Sequence, residues 1–225
     1  MTSFYFGDLW AYREQLMWGA VQTILFSAFA MVLGLGVAIV CALLRMSRFR
    51  IARSGVIAYV EIIRNTPFLV QIFLVFFGLP AIGFRLSPNE AAMAALVLNV
   101  GAYSTEIVRA GIESIQKGLI EAARSLGLSR MHIFFLVILP PAIQNIYPAL
   151  TSQFILSMLS TSVLSAISAE ELTSIANDIQ SRTFRTTEVY LLVLVLYYGI
   201  TLSFTLLFAF VSRVAFPSRY AGHGR

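Results

Sequence analysis

The chain has 225 residues, 58% of them hydrophobic and 12% charged, with a mean hydropathy of +0.81; an ordinary soluble domain carries about a quarter charged residues. Its net charge of +5 and pI near 9.7 would suit a nucleic-acid binder, but the basic residues fall in short segments between apolar runs, so no nucleic-acid partner is expected. Residues 15–44, 65–84, 91–105, 133–169 and 189–212 contain no Asp, Glu, Lys or Arg. About 20 helical residues cross the roughly 30 Å hydrocarbon core of a bilayer. The composition therefore predicts an all-α polytopic membrane protein, a single transmembrane domain over 1–225 with the lipid bilayer as its surroundings.

The first span is expected near 16–44. It is too long for the apolar region of a signal peptide, and Asp8 and Glu14 precede it. Gly34, Gly36, Ala38 and Ala42 offer small surfaces for close helix contact, within one chain or between subunits. Cys41, the one cysteine, has no partner for an intrachain disulfide and reads as a packing residue. A short loop follows with Arg45, Arg48, Arg50 and Arg53 and no acid.

The second span is expected near 55–80, with a kink where Asn65 and Thr66 precede Pro67, since proline cannot donate to the helix ladder. Glu61 and Arg64 stand at i,i+3 and form either a mutual ion pair or part of a polar network. The third span, near 88–111, places Asn99, Tyr103 and Glu106 on one face at i, i+4 and i+7, and Glu106 again has an arginine, Arg109, three residues on. Ionisable groups inside spans cost about 2.5–3.5 kcal/mol each on insertion scales and face a partner or a cavity. Glu61, Arg64, Asn65, Gln71, Asn99, Tyr103, Glu106 and, in the fourth span, Gln153 are the candidates for a polar pathway or gate. Interhelical hydrogen bonds within the bundle are the alternative use for the same groups.

Between the third and fourth spans lies a polar loop, about 112–139. Ile112, Ile115, Leu119, Ile120 and Ala123 recur at three- and four-residue steps, the period of an amphipathic helix. Glu113–Lys117 and Lys117–Glu121 are spaced for i,i+4 ion pairs. Gly118 and Gly127 read as breaks, the second as a left-handed helix cap. Met131–Leu139 is apolar enough to lie at the membrane interface before Pro140 turns the chain into a fourth span near 141–164. There Gln153, Ser157 and Ser160 share a face. The segment 165–188 is acidic and rich in Ser, Thr and Asn, as a solvated loop or a docking surface would be. The fifth span is expected near 189–212, followed by a tail with Arg213, Arg219 and Arg225.

Eleven basic residues fall in the 45–53, 109–130 and 213–225 segments and four in the others, which hold seven acids. That asymmetry places the first set in the cytoplasm, with the N-terminus outside and the C-terminus inside. Five helices enclose little space, so a dimer or larger assembly is expected. His132 and His223 have no metal-ligand companions, no GxxxxGK[ST] phosphate loop occurs, and no catalytic triad or paired catalytic carboxylates appear. No catalytic residue, metal or cofactor is expected on this chain.

Glu121-Ala122-Ala123, three residues, Gly127, nine residues, then Val137, Ile138, Leu139 and Pro140 resembles the EAA loop of ABC importer permeases, EAA-x3-G-x9-I-x-LP, with Val in place of the usual Ile. EIIRNTPFLVQIFLVFFGLP (61–80), AYSTEIVRAGIESIQKG (102–118) and STSVLSAISAEEL (160–172) are similar to segments of the polar amino acid permeases, and the resemblance spans about residues 15–215. It implies the MetI-like permease fold in a bacterial cytoplasmic (inner) membrane. It also implies docking of Glu121, Ala122, Ala123 and Gly127 on a separate ABC ATPase dimer, with Leu139 and Pro140 fixing entry to the next span. ATP and Mg would then be held by that ATPase, a second permease subunit (the same chain or a paralogue) would complete the pathway, and an extracytoplasmic substrate-binding protein would deliver a polar amino acid, with 165–188 as its contact. Two rivals remain at this point: a gradient-driven carrier or channel using Glu61 and Glu106, and an ABC importer of another solute.

Overall fold

The computed structural model describes residues 6–216; Arg219, His223 and Arg225 of the expected tail lie outside the described residues, as does the side chain of Asp8. Every regular element among the described residues is helical. A 3₁₀ turn, Gly7–Tyr12, leads into α1 (Arg13–Arg45), whose 33 residues extend about 50 Å at 1.5 Å each. Helices α2 (Arg50–Arg64) and α3 (Phe68–Phe73) follow, the latter continued by π and 3₁₀ turns to Ile82. Next come α4 (Pro88–Glu113), α5 (Lys117–Ser125), α6 (Arg130–His132), α7 (Leu139–Ser160), α8 (Leu172–Thr183) and α9 (Thr186–Ala215). Four helices are long and apolar enough to cross a membrane, five if the bent α2–α3 pair counts as one.

The frame of the bundle is α1 packed on α4. Small residues make the approach possible: Gly34, Ala38, Ala92, Ala95 and Ala102 are all buried. A Cβ on Gly34 would stand 2.6 Å from Val100 Cγ1, whereas one on Gly36 would meet nothing within 4 Å. Of the contacts expected of the two glycines, the one within the chain holds for Gly34 alone: Gly36 faces away from the bundle. Helix α4 starts on a capping box in which Ser87 and Glu90 satisfy each other's backbone N–H groups, with Pro88 in the first turn.

The second expected span is not one helix. Residues 50–64 and 68–82 are bent by 113° at Asn65–Pro67, where the pyrrolidine ring disfavours a helical conformation for the preceding residue and Pro67 brings no N–H to the ladder. The first half, α2, carries charge at both ends and buries only Val56 and Val60.

The fourth expected span also changes. Arg130–Ile167 is an uninterrupted helical segment, so Pro140 does not turn the chain, and Met131–Leu139 belongs to that segment. A π stretch, Ile133–Ile138, widens the helix just before Pro140 and Pro141. It accommodates two residues that bring no N–H to the ladder.

The segment 165–188 is no solvated loop. Its centre forms α8, which buries Leu172, Ala176 and Ile179 against α1 and α9. The close approach is visible at Gly19, where a Cβ would stand 2.9 Å from the Leu172 backbone. Glu171 caps α8 from a fully buried position, its carboxylate accepting from Thr173 N (2.8 Å), Ser174 N (2.6 Å) and Tyr197 OH (2.9 Å). Burial pushes this carboxyl up to about 7, against the lowering effect of its three donors.

Candidate functional site

The end of the bundle that carries α5 concentrates the ionic chemistry. Arg45, the last residue of α1, donates to Glu106 on α4 at 2.9 Å. Glu106 also accepts from Arg109, one turn on, and Arg109 in turn donates to Glu113, the last residue of α4. A chain of four alternating charges thus joins the ends of two helices. Both side chains of the Arg45–Glu106 pair are about a quarter exposed.

Beside this chain a pocket of about 330 Å³ is lined by Arg45, Ile57, Val60, Glu61, Arg64, Asn65, Tyr103 and Glu106. Of the two uses open to Glu61 and Arg64, the mutual ion pair does not form. The Arg64 guanidinium instead lies over the Tyr103 ring, 5.5 Å from its centroid, and no ion pair to Glu61 occurs among the described residues. The pocket therefore presents a carboxylate and a guanidinium of opposite sign, both exposed.

Of the eight candidates for a polar pathway, Glu61, Arg64, Asn65, Tyr103 and Glu106 come together here. The other three are engaged elsewhere. Gln71, buried, donates to Ile63 O at 2.7 Å and Thr66 O at 3.0 Å and accepts from Asn99 Nδ2 at 2.9 Å. It closes the carbonyls that the α2–α3 break releases and ties them to α4. Thr66 Oγ1 closes one more, Ile62 O, and Asn65 Nδ2 adds a second bond to Glu61 O, which already accepts from Asn65 N. The backbone at the kink is thus covered by its own side chains. Gln153 donates to Ser157 Oγ, one turn along α7, and Ser160 donates to Leu156 O.

Arg45 is the member of this site that sequence spacing does not disclose. It stands 61 residues from Glu106 and reads as one of four loop arginines. Glu171 is equally hidden, because an acid in a polar segment gives no sign of burial.

The polar loop resolves into α5 and its flanks. The chain leaves α4 at Ser114 and turns through Gln116, whose ψ of 130° is extended. The break therefore precedes Lys117, and Gly118 lies inside α5 as a first-turn residue. This also removes the expected Glu113–Lys117 pair, since the two no longer share a helix, and no Lys117–Glu121 pair forms among the described residues. At the other end Gly127 adopts φ +75°, with Gly127 N bonded to Arg124 O and Leu128 N to Ala123 O. That is the bond pattern of a Schellman cap, for which glycine is the least strained residue.

Helix α5 buries Ala123, with Ile115 buried just before it. Ile112 and Ile120 are half-buried. The rest of the helix surface is open: Leu119, Glu121, Ala122 and Leu126 are all exposed, Leu126 to 80%. Leu119, Ala122 and Leu126 stand at i, i+3 and i+7, an exposed apolar stripe flanking the buried Ala123. Leu139 is half-buried and Pro140 exposed at the start of α7. Among the described residues no group of His, Cys, Asp and Glu is placed to hold a metal ion; His132 hydrogen-bonds Ser129.

Residues 31–216 match the family described as the binding-protein-dependent transport system inner membrane component. The chain is 39% identical over 193 residues to the nopaline transport system permease protein NocM of Agrobacterium fabrum, covering 81% of this chain and 80% of that one. It is 35% identical over 196 residues to the glutamine transport system permease protein GlnP of Escherichia coli, covering 86% and 90%. Among solved structures, an amino acid ABC transporter crystallised with histidines superposes with a TM-score of 0.88 at 34% identity, covering 94% of this chain and 99% of that one.

Proposed function

Because the chain belongs to the family of binding-protein-dependent transport system inner membrane components, we propose that it is the multi-pass permease subunit of an ATP-driven importer for polar amino acids or close derivatives. The relatives are permeases for nopaline and glutamine, and the matching solved structure is an amino acid transporter. These favour the ABC reading over a gradient-driven carrier. The observation that carries the coupling is α5: a short helix fixed at both ends, with an apolar stripe and Glu121 turned outwards. Such a stripe gains by burial against a partner.

On this reading the partner is a separate ATPase pair. Glu121, Ala122, Ala123 and Gly127 form the docking segment, and Leu139 and Pro140 open α7, the span that follows it. ATP and Mg are bound by the ATPase. A second permease chain, identical or paralogous, completes the pathway. A binding protein delivers solute to the opposite end in a bacterial inner membrane, where α8 and its exposed Glu170 and Asp178 present the contact surface. In the pocket beside α2, Arg64 offers a donor pair to an α-carboxylate and Glu61 an acceptor to an ammonium group. Movement of the ATPases would pull α5. The pull passes through the Glu113–Arg109–Glu106–Arg45 chain to α4 and α1, opening or closing that pocket.

Co-purification from the native membrane tests the docking claim. Wild type should retain a P-loop ATPase. Gly127→Asp, which forces a β-substituted residue into a left-handed conformation, and Leu126→Asp should both lose it. Equal retention by all three would reject α5 as the docking segment.

A further inference from the structure

Also along the ionic chain, a second pocket of about 370 Å³ is lined by Ala42, Arg45, Met46, Arg53, Arg109, Ile112 and Glu113. Its charges are not equivalent. Arg45 is held by Glu106, and Arg109 by Glu106 and Glu113; Glu113 is thereby neutralised. Arg53 makes no ion pair among the described residues, and neither do its neighbours Arg48 and Arg50. The free charge at this seam is therefore wholly positive.

The apolar side is just as specific. Met46, Phe49 and Ile51 alternate with these arginines and are 58%, 78% and 90% exposed. Above them α1 turns Ile39, Val40, Leu43 and Leu44 outwards. Ala42, Met46 and Ile112 line the pocket itself. A ligand for such a seam carries an anion at one end and hydrocarbon at the other. A soluble acidic peptide or a free anion would leave the exposed Phe49 and Ile51 in water, whereas a lipid covers them. Basic pockets between transmembrane helices suit acidic lipid headgroups, and interleaved basic and large apolar residues suit the interface.

We propose that the seam between α1, α2 and α4 is a binding site for an anionic phospholipid, with Arg53 holding the headgroup phosphate. Arg48 and Arg50 flank the headgroup, and the acyl chains lie along the outward face of α1. The bound phosphate sits next to the Arg109–Glu113 pair, at the point where α4 gives way to α5.

Native mass spectrometry of the intact complex tests this. The complex is released from bilayers of equal phosphatidylglycerol and phosphatidylcholine content, and retained lipids are counted. Wild type should retain phosphatidylglycerol several-fold in preference. Arg53→Gln should lose most of that preference and Arg53→Lys should keep most of it. Arg182→Gln, at an exposed ion pair on α8, should match wild type and shows that a surface charge change alone has no effect. No preference in wild type, or a preference unchanged in Arg53→Gln, would overturn the proposal. So would displacement of the lipid by millimolar inorganic phosphate, which would make a free anion the ligand. These outcomes do not depend on what is transported.

Discussion

The guanidinium of Arg45 and the carboxylate of Glu106 lie 2.9 Å apart, joining the last turn of α1 to a helix 61 residues away in sequence. Glu106 serves two arginines at once, and removing it leaves both without their shared partner. Glu106→Gln should destabilise the complex by roughly 1–2 kcal/mol, between the limits for exposed and buried ion pairs. Thermal unfolding in detergent measures this, and Arg45→Gln added to Glu106→Gln should cost clearly less than the sum of the two single changes. Additive effects would mean that the pair contributes nothing.

Gln71 closes the break between α2 and α3. Gln71→Ala would strip a donor from Ile63 O and Thr66 O and an acceptor from Asn99 in a buried place. A loss of about 2 kcal/mol is expected. Gln153→Ala, which removes one hydrogen bond along α7, should cost under half as much. Heat-inactivation midpoints of the two variants, compared in one detergent, decide it.

Two glycines of α1 should behave oppositely. Gly34→Ala drives a methyl group to within 2.6 Å of Val100, and overpacking of that kind costs about 1–3 kcal/mol. Gly36→Ala enters open space and should be neutral or slightly stabilising, since alanine is the better helix former. Expression level and melting midpoint of both variants provide the check.

Glu171 makes the protein's stability depend on pH. Its carboxyl is raised from an ordinary 4.5 to about 7 in the folded chain, chiefly by burial. Between those values the folded state holds a proton that the unfolded state has released. Stability from this group is therefore full below about 4.5 and is lost as pH rises through 7, by roughly 3 kcal/mol in all. Glu171→Gln should flatten the fall in melting midpoint between pH 5 and pH 8. An unchanged slope would place the pH dependence elsewhere.

Much of this was legible in the sequence, for identifiable reasons. Uncharged runs mark α1, α4 and α9 because lipid tolerates few charges, and the small residues at Gly34 and Ala38 mark a face that packs. The left-handed cap at Gly127 follows from a glycine placed after an amphipathic turn. Hydropathy could not reveal that Asn65–Pro67 bends the chain by 113°, because a proline in an apolar run looks the same whether it kinks or breaks. Nor could it show that Leu172, Ala176 and Ile179 bury one side of a polar segment; three apolar residues over eight positions are a weak stripe until α1 and α9 lie against it. The polar candidates divide for a similar reason. Gln71 and Asn99 carry the same groups whether they meet a solute or each other, and only their 2.9 Å separation identifies the second use.

Uptake of a labelled polar amino acid into proteoliposomes tests the central claim most directly. The chain is reconstituted with its ATPase and permease partners, with binding protein on one side and ATP on the other. Accumulation should require hydrolysable ATP and should fall at least tenfold in Leu126→Asp. Accumulation by this chain without the ATPase, driven by an imposed ion gradient, would contradict the account.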